Sequence, residues 1–231
     1  LVGAVVEAAK ELTSKYLKVK LKWVETDWQT MIAALQADKC DMIMSNTGRG
    51  LGRAESVWFT KPWIIGAQSF LVRKKDNIRN KADLDKPGNV IVVRLGSRAH
   101  KTYTEQHTDF FKNAKIKAVS PPALPEQEVA SSRAIAWGAG MTETYQTAKA
   151  NPDWAQSIIL PETPRATGAG FIVPQCQHNL LHYMNVFVDL LIESQFMVKQ
   201  AEKWGLVTDA IVAPTQTMGD LNRTYGASWG K

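Results

Sequence analysis

DWQTMIAALQADKCDMIMSNTGRGLGRAESVWFTKPW, residues 27–63, decides how this chain folds. Asp27 reads as an N-cap, and Trp28, Met31, Ile32 and Leu35 share one face of the helix that follows it. A short apolar strand over 40–46 comes next. Beyond Met44 the chain carries Gly48, Gly50 and Gly52 interleaved with Arg49 and Arg53, in a loop placed where the strand stops. A helix feeding a strand that ends in such a loop is the unit of an α/β sheet with crossover helices. In open sheets of this kind ligands bind at the carboxyl ends of strands, where backbone amides are unpaired. The loop is therefore expected to receive an anion: the arginines supply the counter-charge, and the three glycines let the backbone approach where a side chain would intrude.

Working outward, VVEAAKELTSKY (5–16) has helical spacing, and KVKLKWVE (18–25) alternates as a half-buried strand. A second set of similar plan runs from about 76 to 165. NVIVVRLGS (89–97), AKIKAVSPP (114–122) and AIAWGAG (134–140) read as strands. RAHKTYTEQHTDFF (98–111), PEQEVASSR (125–133) and MTETYQTAKANPDW (141–154) read as helices. QSFLVRKK (68–75) and TGAGFIVPQ (167–175) join the two sets, which predicts two lobes with two crossings and a cleft between them. The first lobe is expected over 1–72 and 167–231, the second over 73–166. The helices of 179–195 and 196–206 return to the first lobe, and the tail, 213–231, packs on it as an irregular segment.

Composition sets outer limits. The 231 residues are 45% hydrophobic and 22% charged, as in soluble globular proteins, and suffice for one large domain or two lobes. The net charge of +6 suits an anionic partner, but no dense basic run supports nucleic acid or a membrane surface. The richest stretch, VRKKDNIRNK (72–81), reads as a solvated turn. Two cysteines, Cys40 and Cys176, exclude a four-thiolate zinc cluster and leave one disulfide or two free thiols open. His100, His107, His178 and His182 show no metal-ligand spacing. No apolar stretch reaches the ~18 residues that span a bilayer, and no signal peptide is present, which leaves a cytoplasmic chain or a processed one.

Several pieces together resemble a known family: L-V-G at 1–3, W-x-x-M-I-x-A-L-Q-A-D-K-x-D-M-I-M-S at 28–45, R-x-E-x-V-x-F-T-K-P-W at 53–63, L-G-S at 95–97 before a helix, and A-E-K-W-G-L at 201–206. They are similar to the solute-binding proteins of ABC transporters, polar amino-acid type (family 3), over residues 1 to about 206. The resemblance implies an α/β, two-lobed periplasmic-binding-protein-like fold (type II), a periplasmic or extracytoplasmic location, a small-molecule carboxylate ligand and a permease partner. It implies no cofactor, no metal, no nucleic acid and no membrane insertion. A closer likeness, on LDKPGNVIVV (84–93), the helix from Met141 and the run from Phe171 to Leu206, is to the periplasmic cyclohexadienyl (arogenate or prephenate) dehydratases, which share the fold. The family's first strand and aromatic loop, which normally precede L-V-G, are missing from the sequence, and a trimmed chain is the expected reason.

The resemblance places the ligand-carboxylate arginine at Arg53, whose planar fork can pair with both oxygens of a carboxylate. Ser97 is expected to face it across the cleft, with Arg98 and Arg49 nearby. Asn46 at the strand end, Trp63 at the cleft rim and Gln68 complete the expected ligand set. Trp58, Phe59 and Trp63 could stack on a ligand ring or pack the lobe, with core packing the stronger reading for Phe59. The family's threonines are Gly48 and Gly50 here, its Gly-Thr-Thr is Gly96-Ser97-Arg98, and the aspartate that holds the ligand's ammonium is Gly140. Glu143 matches the catalytic glutamate of the dehydratases, although Gln68 stands where those enzymes carry a lysine. Three functions follow. One is a binding protein that captures an amino acid or related organic anion for an ABC transporter. Another is a dehydratase with Glu143 as general acid, and the third is a degenerate sensor or interaction module. In the first, the ligand either lacks a firmly held ammonium or presents it to Glu143.

Overall fold

A computed structural model describes residues 1–163, 167–206 and 211–212; the expected packing of the tail, 213–231, lies outside them. Two separate sheets form. In the first, β9 (Thr167–Val173) is central and antiparallel to β1 (Ile43–Gly48) on one side and to β2 (Trp58–Phe59) and β3 (Ile64–Gly66) on the other. The second has the order β6-β5-β7-β4-β8. Its strands β6 (Lys115–Val119), β5 (Val90–Arg94) and β7 (Ala136–Gly140) are parallel, while β4 (Gln68–Arg73) runs antiparallel to both β7 and β8 (Ala155–Ile158). The chain passes from one sheet to the other between β3 and β4 and returns between β8 and β9. This is the two-lobed α/β plan expected from the sequence.

Each sheet is held by the apolar faces that its sequence periods create. In β5, Ile91 and Val93 turn to one side, with Phe70, Val72, Tyr103, Phe110 and Phe111, while Val92 turns to the other, with Leu71, Trp137 and Val129. Burial on both faces is what parallel strands require. On the first sheet, α8 (His178–Glu193) buries Met184, Phe187, Val188, Leu191 and Ile192, an i, i+3, i+4, i+7, i+8 stripe. It packs with α1 (Ala4–Glu11) and α9 (Phe196–Lys203) over Trp63, Phe171 and Val173. A π-helical turn, Leu12–Leu17, extends α1.

Local expectations fail where a pattern lacks a partner. The alternating 18–25 stretch joins no ladder, and Val19, Trp23 and Val24 are exposed. Alternation makes a strand only beside an available edge, and among the described residues β1 pairs with β9 alone. The N-cap of α2 (Met31–Gln36) is Thr30 rather than Asp27, whose carbonyl accepts from the amides of Thr30 and Met31 in the turn that precedes the helix. The helix foreseen over 98–111 is α5 (Arg98–Lys101) plus a π-helical turn, Thr102–Gln106. It stops there because Phe110 and Phe111 are drawn into the core beside Tyr103. Arg73 is not solvated. It is 7% exposed, pairs with Asp76 at 2.6 Å and donates to the carbonyls of Val129 and Ala134. Both cysteines are free thiols, Cys40 half-buried and Cys176 exposed.

One ion cluster ties α6 (Pro125–Ala130) to β6. Arg133 Nε and Nη2 donate to Glu128 Oε1 at 3.1 and 2.9 Å, and Lys117 Nζ donates to Oε2 at 2.8 Å. These bonds, those from Arg133 first, hold the Glu128 carboxyl down at about 2. A depressed carboxylate contributes stability above its unfolded value and loses it as pH falls through the folded one. Glu128→Gln should therefore lower the melting temperature by roughly 2–4 °C at pH 7. Melts repeated down to pH 2 should show the gap between variant and parent closing below pH 4.5.

Candidate functional site

The strand of the opening stretch runs further than its apolar run suggests, through Thr47 to Gly48. Residues 49–50 then turn the chain into the single helical turn α3 (Leu51–Ala54), which carries Arg53 back beneath the strand end. Arg53 is 9% exposed. Its Nη1 donates to Gly48 O at 2.9 Å within its own lobe, and its Nη2 donates to Gly96 O at 3.2 Å, beyond the end of β5 in the other sheet. One guanidinium thus links the strand ends of the two sheets. Among the described residues no carboxylate lies within ion-pair distance of it. Burial, and next the like charge of Arg98, push its pKa below the usual arginine value.

Across from its own lobe the Arg53 guanidinium thus meets the Gly96 carbonyl, next to Ser97. Ser97 caps α5, its Oγ accepting from His100 N at 3.2 Å, and its own amide donates to Arg94 O at 3.0 Å. Gly96 has φ +73, and a Cβ there would lie 3.0 Å from Gln29 Cγ. Arg98 folds over Gly48, whose Cβ would sit 3.0 Å from Arg98 Cδ; burial lowers the Arg98 pKa. Gly48 thus gives Arg98 the space a Cβ would take, whereas a Cβ at Gly50 or Gly52 meets nothing within 4 Å.

The remaining expected residues divide into three places. Gln68 opens β4 directly opposite Gly140 on β7, and its Oε1 is buried without a partner. Beside them, Glu143 occupies the first turn of α7 (Met141–Ala150), its Oε2 accepting from Gly140 N at 3.4 Å. That oxygen lies 3.6 Å from where a Cβ of residue 140 would be, so Glu143 reaches back into the space that an aspartate side chain would fill. Burial raises its pKa most and nearby Glu126 adds to the rise, against the opposing pull of Arg94 and the Gly140 amide. Asn46 and Trp63 line a cavity of about 350 Å³ with Thr142 and Gln146 of α7. Trp63 is 1% exposed and stacks on Phe171, so its ring belongs to the core. Arg49 stands apart, exposed at a different cavity of about 750 Å³ beside Trp58, Leu181 and His178. It turns away because its amide is tied to Gly168 O at 3.1 Å, continuing the ladder of β1 with β9.

Sequence reasoning missed Arg94, Tyr103 and Glu126. Arg94 ends β5 with its guanidinium 5.9 Å from the Trp137 ring centre. Tyr103 brings a buried hydroxyl without a partner to the aromatic cluster of the second sheet. Glu126 Oε2 is likewise buried and without a partner. Only the position of Arg94 before the L-G-S turn could have signalled a role. The other two read as ordinary helix residues. Together the groups make a basic cradle at Arg53, Gly96 and Arg98, with Gln68 and Glu143 gathered at the end of β7. Such an arrangement can hold a small ligand by its anionic end.

Known proteins resemble the chain in sequence and share its fold. The bacterial extracellular solute-binding proteins, family 3, match the chain over residues 1–207. A protein of Campylobacter jejuni subsp. jejuni, described as a probable histidine-binding protein, is 34% identical over 101 residues, 43% of this chain and 37% of the relative. The chain spans less than half the length of the curated relatives it matches. Among solved structures, an ancestral amino-acid-binding protein described as a precursor of cyclohexadienyl dehydratase is 28% identical, with 88% and 85% of the two chains covered and a TM-score of 0.78. A binding component of an ABC transporter from Wolinella succinogenes, complexed with lysine, is 26% identical over 88% and 85% of the chains, with a TM-score of 0.76.

The glycines of the cradle provide a test of its geometry. Gly96→Ala forces a Cβ into a left-handed turn and against Gln29, and should cost about 1–3 kcal/mol in urea unfolding. Gly50→Ala adds its methyl to extended backbone in open space and should stabilise by about 0.4–1 kcal/mol.

Proposed function

Because the chain belongs to the bacterial extracellular solute-binding proteins, family 3, we propose that it captures a small carboxylate ligand, an amino acid or related organic anion, for an ABC-transporter permease. The reading places it in the periplasm or otherwise outside the cytoplasm; no described helix is long and apolar enough to cross a membrane. The first lobe comprises the described residues up to β3 and from β9 onward, and the second those from β4 to β8, the chain crossing between β3 and β4 and between β8 and β9. The ligand lies in the cleft between them and is held by closure of one lobe on the other.

The observation that carries the reading is Arg53. Among the described residues this buried guanidinium bonds only to two carbonyl oxygens, which leaves three of its five donors unused and its charge without a carboxylate. An uncompensated buried charge is costly, and a carboxylate arriving in two-point geometry relieves that cost. Arg98 beside it adds attraction for the same anion. The relatives point the same way, one described as a histidine binder and one solved with lysine.

One observation favours the dehydratase alternative. Burial raises the Glu143 carboxyl above its ordinary value, the direction a general acid toward a leaving hydroxyl requires. Incubation with prephenate and arogenate separates the two readings: turnover that disappears in Glu143→Gln supports an enzyme, and stabilisation without turnover supports a binder.

Calorimetry on the parent protein and Arg53→Ala, after a thermal-shift screen of amino acids, keto acids and dicarboxylates, tests the main reading. The variant should bind the best hit about 2–5 kcal/mol more weakly, the usual cost of deleting one partner of a desolvated charge pair. Unchanged affinity would remove Arg53 from the site.

A further inference from the structure

The cavity of about 750 Å³ at which Arg49 stands is separate from the cleft. It is walled by the turn after β1 and α3 on one side and by β2 and the first turn of α8 on the other. Every described residue that lines it belongs to the first lobe, and neither Arg53 nor any group of the second sheet contributes to it. Its size falls within the roughly 300–1,000 Å³ of cavities that hold small molecules.

Its lining joins aromatic surface to positive charge. The rings of Trp58 and His178 lie 4.7 Å apart and are tilted by 57°, and Val57, Phe59 and Leu181 add apolar surface beside them. Leu51, 89% exposed on α3, extends that surface at the rim. A single exposed leucine is ordinary, but next to a concave aromatic wall it adds to an area that a flat ring can cover. Among the described residues no carboxylate lines the cavity or lies within ion-pair distance of Arg49. His178 opens α8, a helix of 16 residues with no acid in its first turn and no side-chain cap. Leu181 N, on Gln177 O, is the first amide of that helix with an acceptor among the described residues. The uncapped turn therefore adds the positive end of the helix dipole to the charge of Arg49.

We infer that this cavity is a second ligand site, outside the cleft, for an aryl carboxylate whose ring covers Trp58, Phe59 and Leu181 and whose carboxylate is met by Arg49. The fixed course of the backbone supports that role for Arg49: its amide is tied to Gly168 O at 3.1 Å, so the side chain leaves the strand end at a set point on the cavity wall. A guanidinium there offers a carboxylate two parallel donors, while the rings supply apolar contact that an inorganic anion cannot use. Because one lobe provides the whole lining, binding at this site needs no closure of one lobe on the other.

The test uses 4-benzoylbenzoate, an aryl carboxylate whose ketone crosslinks to neighbouring side chains under light, on the full chain. Mass spectrometry of the irradiated complex should place the label within residues 54–59 or 178–181, on the two walls of the cavity. Calorimetry should show 4-benzoylbenzamide, which lacks the charge, binding about fivefold more weakly than the acid, and Arg49→Gln binding the acid about fivefold more weakly than the parent. Circular-dichroism melts check that the variant folds, and the labelling and the acid–amide pair need no variant. Label found only elsewhere in the chain, equal affinity for acid and amide, or an Arg49→Gln protein that binds the acid like the parent overturns the assignment. So does failure of the parent to bind the acid at all. None of these outcomes bears on the carboxylate site at Arg53, which has its own test.

Discussion

A guanidinium held between two carbonyl oxygens, one from each sheet, is the constraint around which the rest is arranged. Arg53 can reach both Gly48 O and Gly96 O only because β1 stops at Gly48, one turn of helix reverses the chain, and the turn after β5 brings Gly96 into range. Those same strand ends define the cleft. The bonds to the carbonyls orient the side chain but leave its charge uncompensated, and an unpaired buried charge is among the more expensive features a fold can carry. A protein that keeps such a charge at the junction of two lobes has, in effect, half of an ion pair, and a ligand can bring the other half.

Backbone conformation makes that arrangement possible. The left-handed φ of Gly96 and its closeness to Gln29 leave no room for a side chain, and the absence of one at Gly48 lets Arg98 lie across the strand end. Two like charges are thereby brought near each other and depressed together by burial. At the end of β7, beside β5 in the same sheet, acceptors gather instead: Gln68 Oε1 has no donor and Glu143 Oε2 only the long contact from Gly140 N.

How much of this was legible depends on whether the signal was local. The apolar stripe of α8 and the two-faced burial of β5 are written in sequence periods, and both elements form where those periods fall. Arg53 was legible because a motif surrounds it. Segment 18–25 has the alternation of a strand but no ladder, since pairing is decided by an edge elsewhere. Arg73 reads as solvated within a basic run, yet lies buried because carbonyls of α6 and of the turn before β7 wait for it. Glu126 gave no sign in PEQEV of the buried, unpartnered oxygen it carries on α6 beside β7. Arg49 looked like a partner of Arg53 by spacing, but its amide continues the β1 ladder and its side chain leaves in another direction.

The account stands or falls on whether the anionic end of the ligand is what Arg53 holds. The most direct measurement changes the ligand rather than the protein: calorimetric titration with L-histidine, L-lysine and L-arginine, each beside its carboxamide, in which the carboxylate charge is gone and the amine remains. The account predicts that whichever of the acids bind lose at least about tenfold in affinity as carboxamides. A carboxamide that binds as tightly as its acid would contradict it.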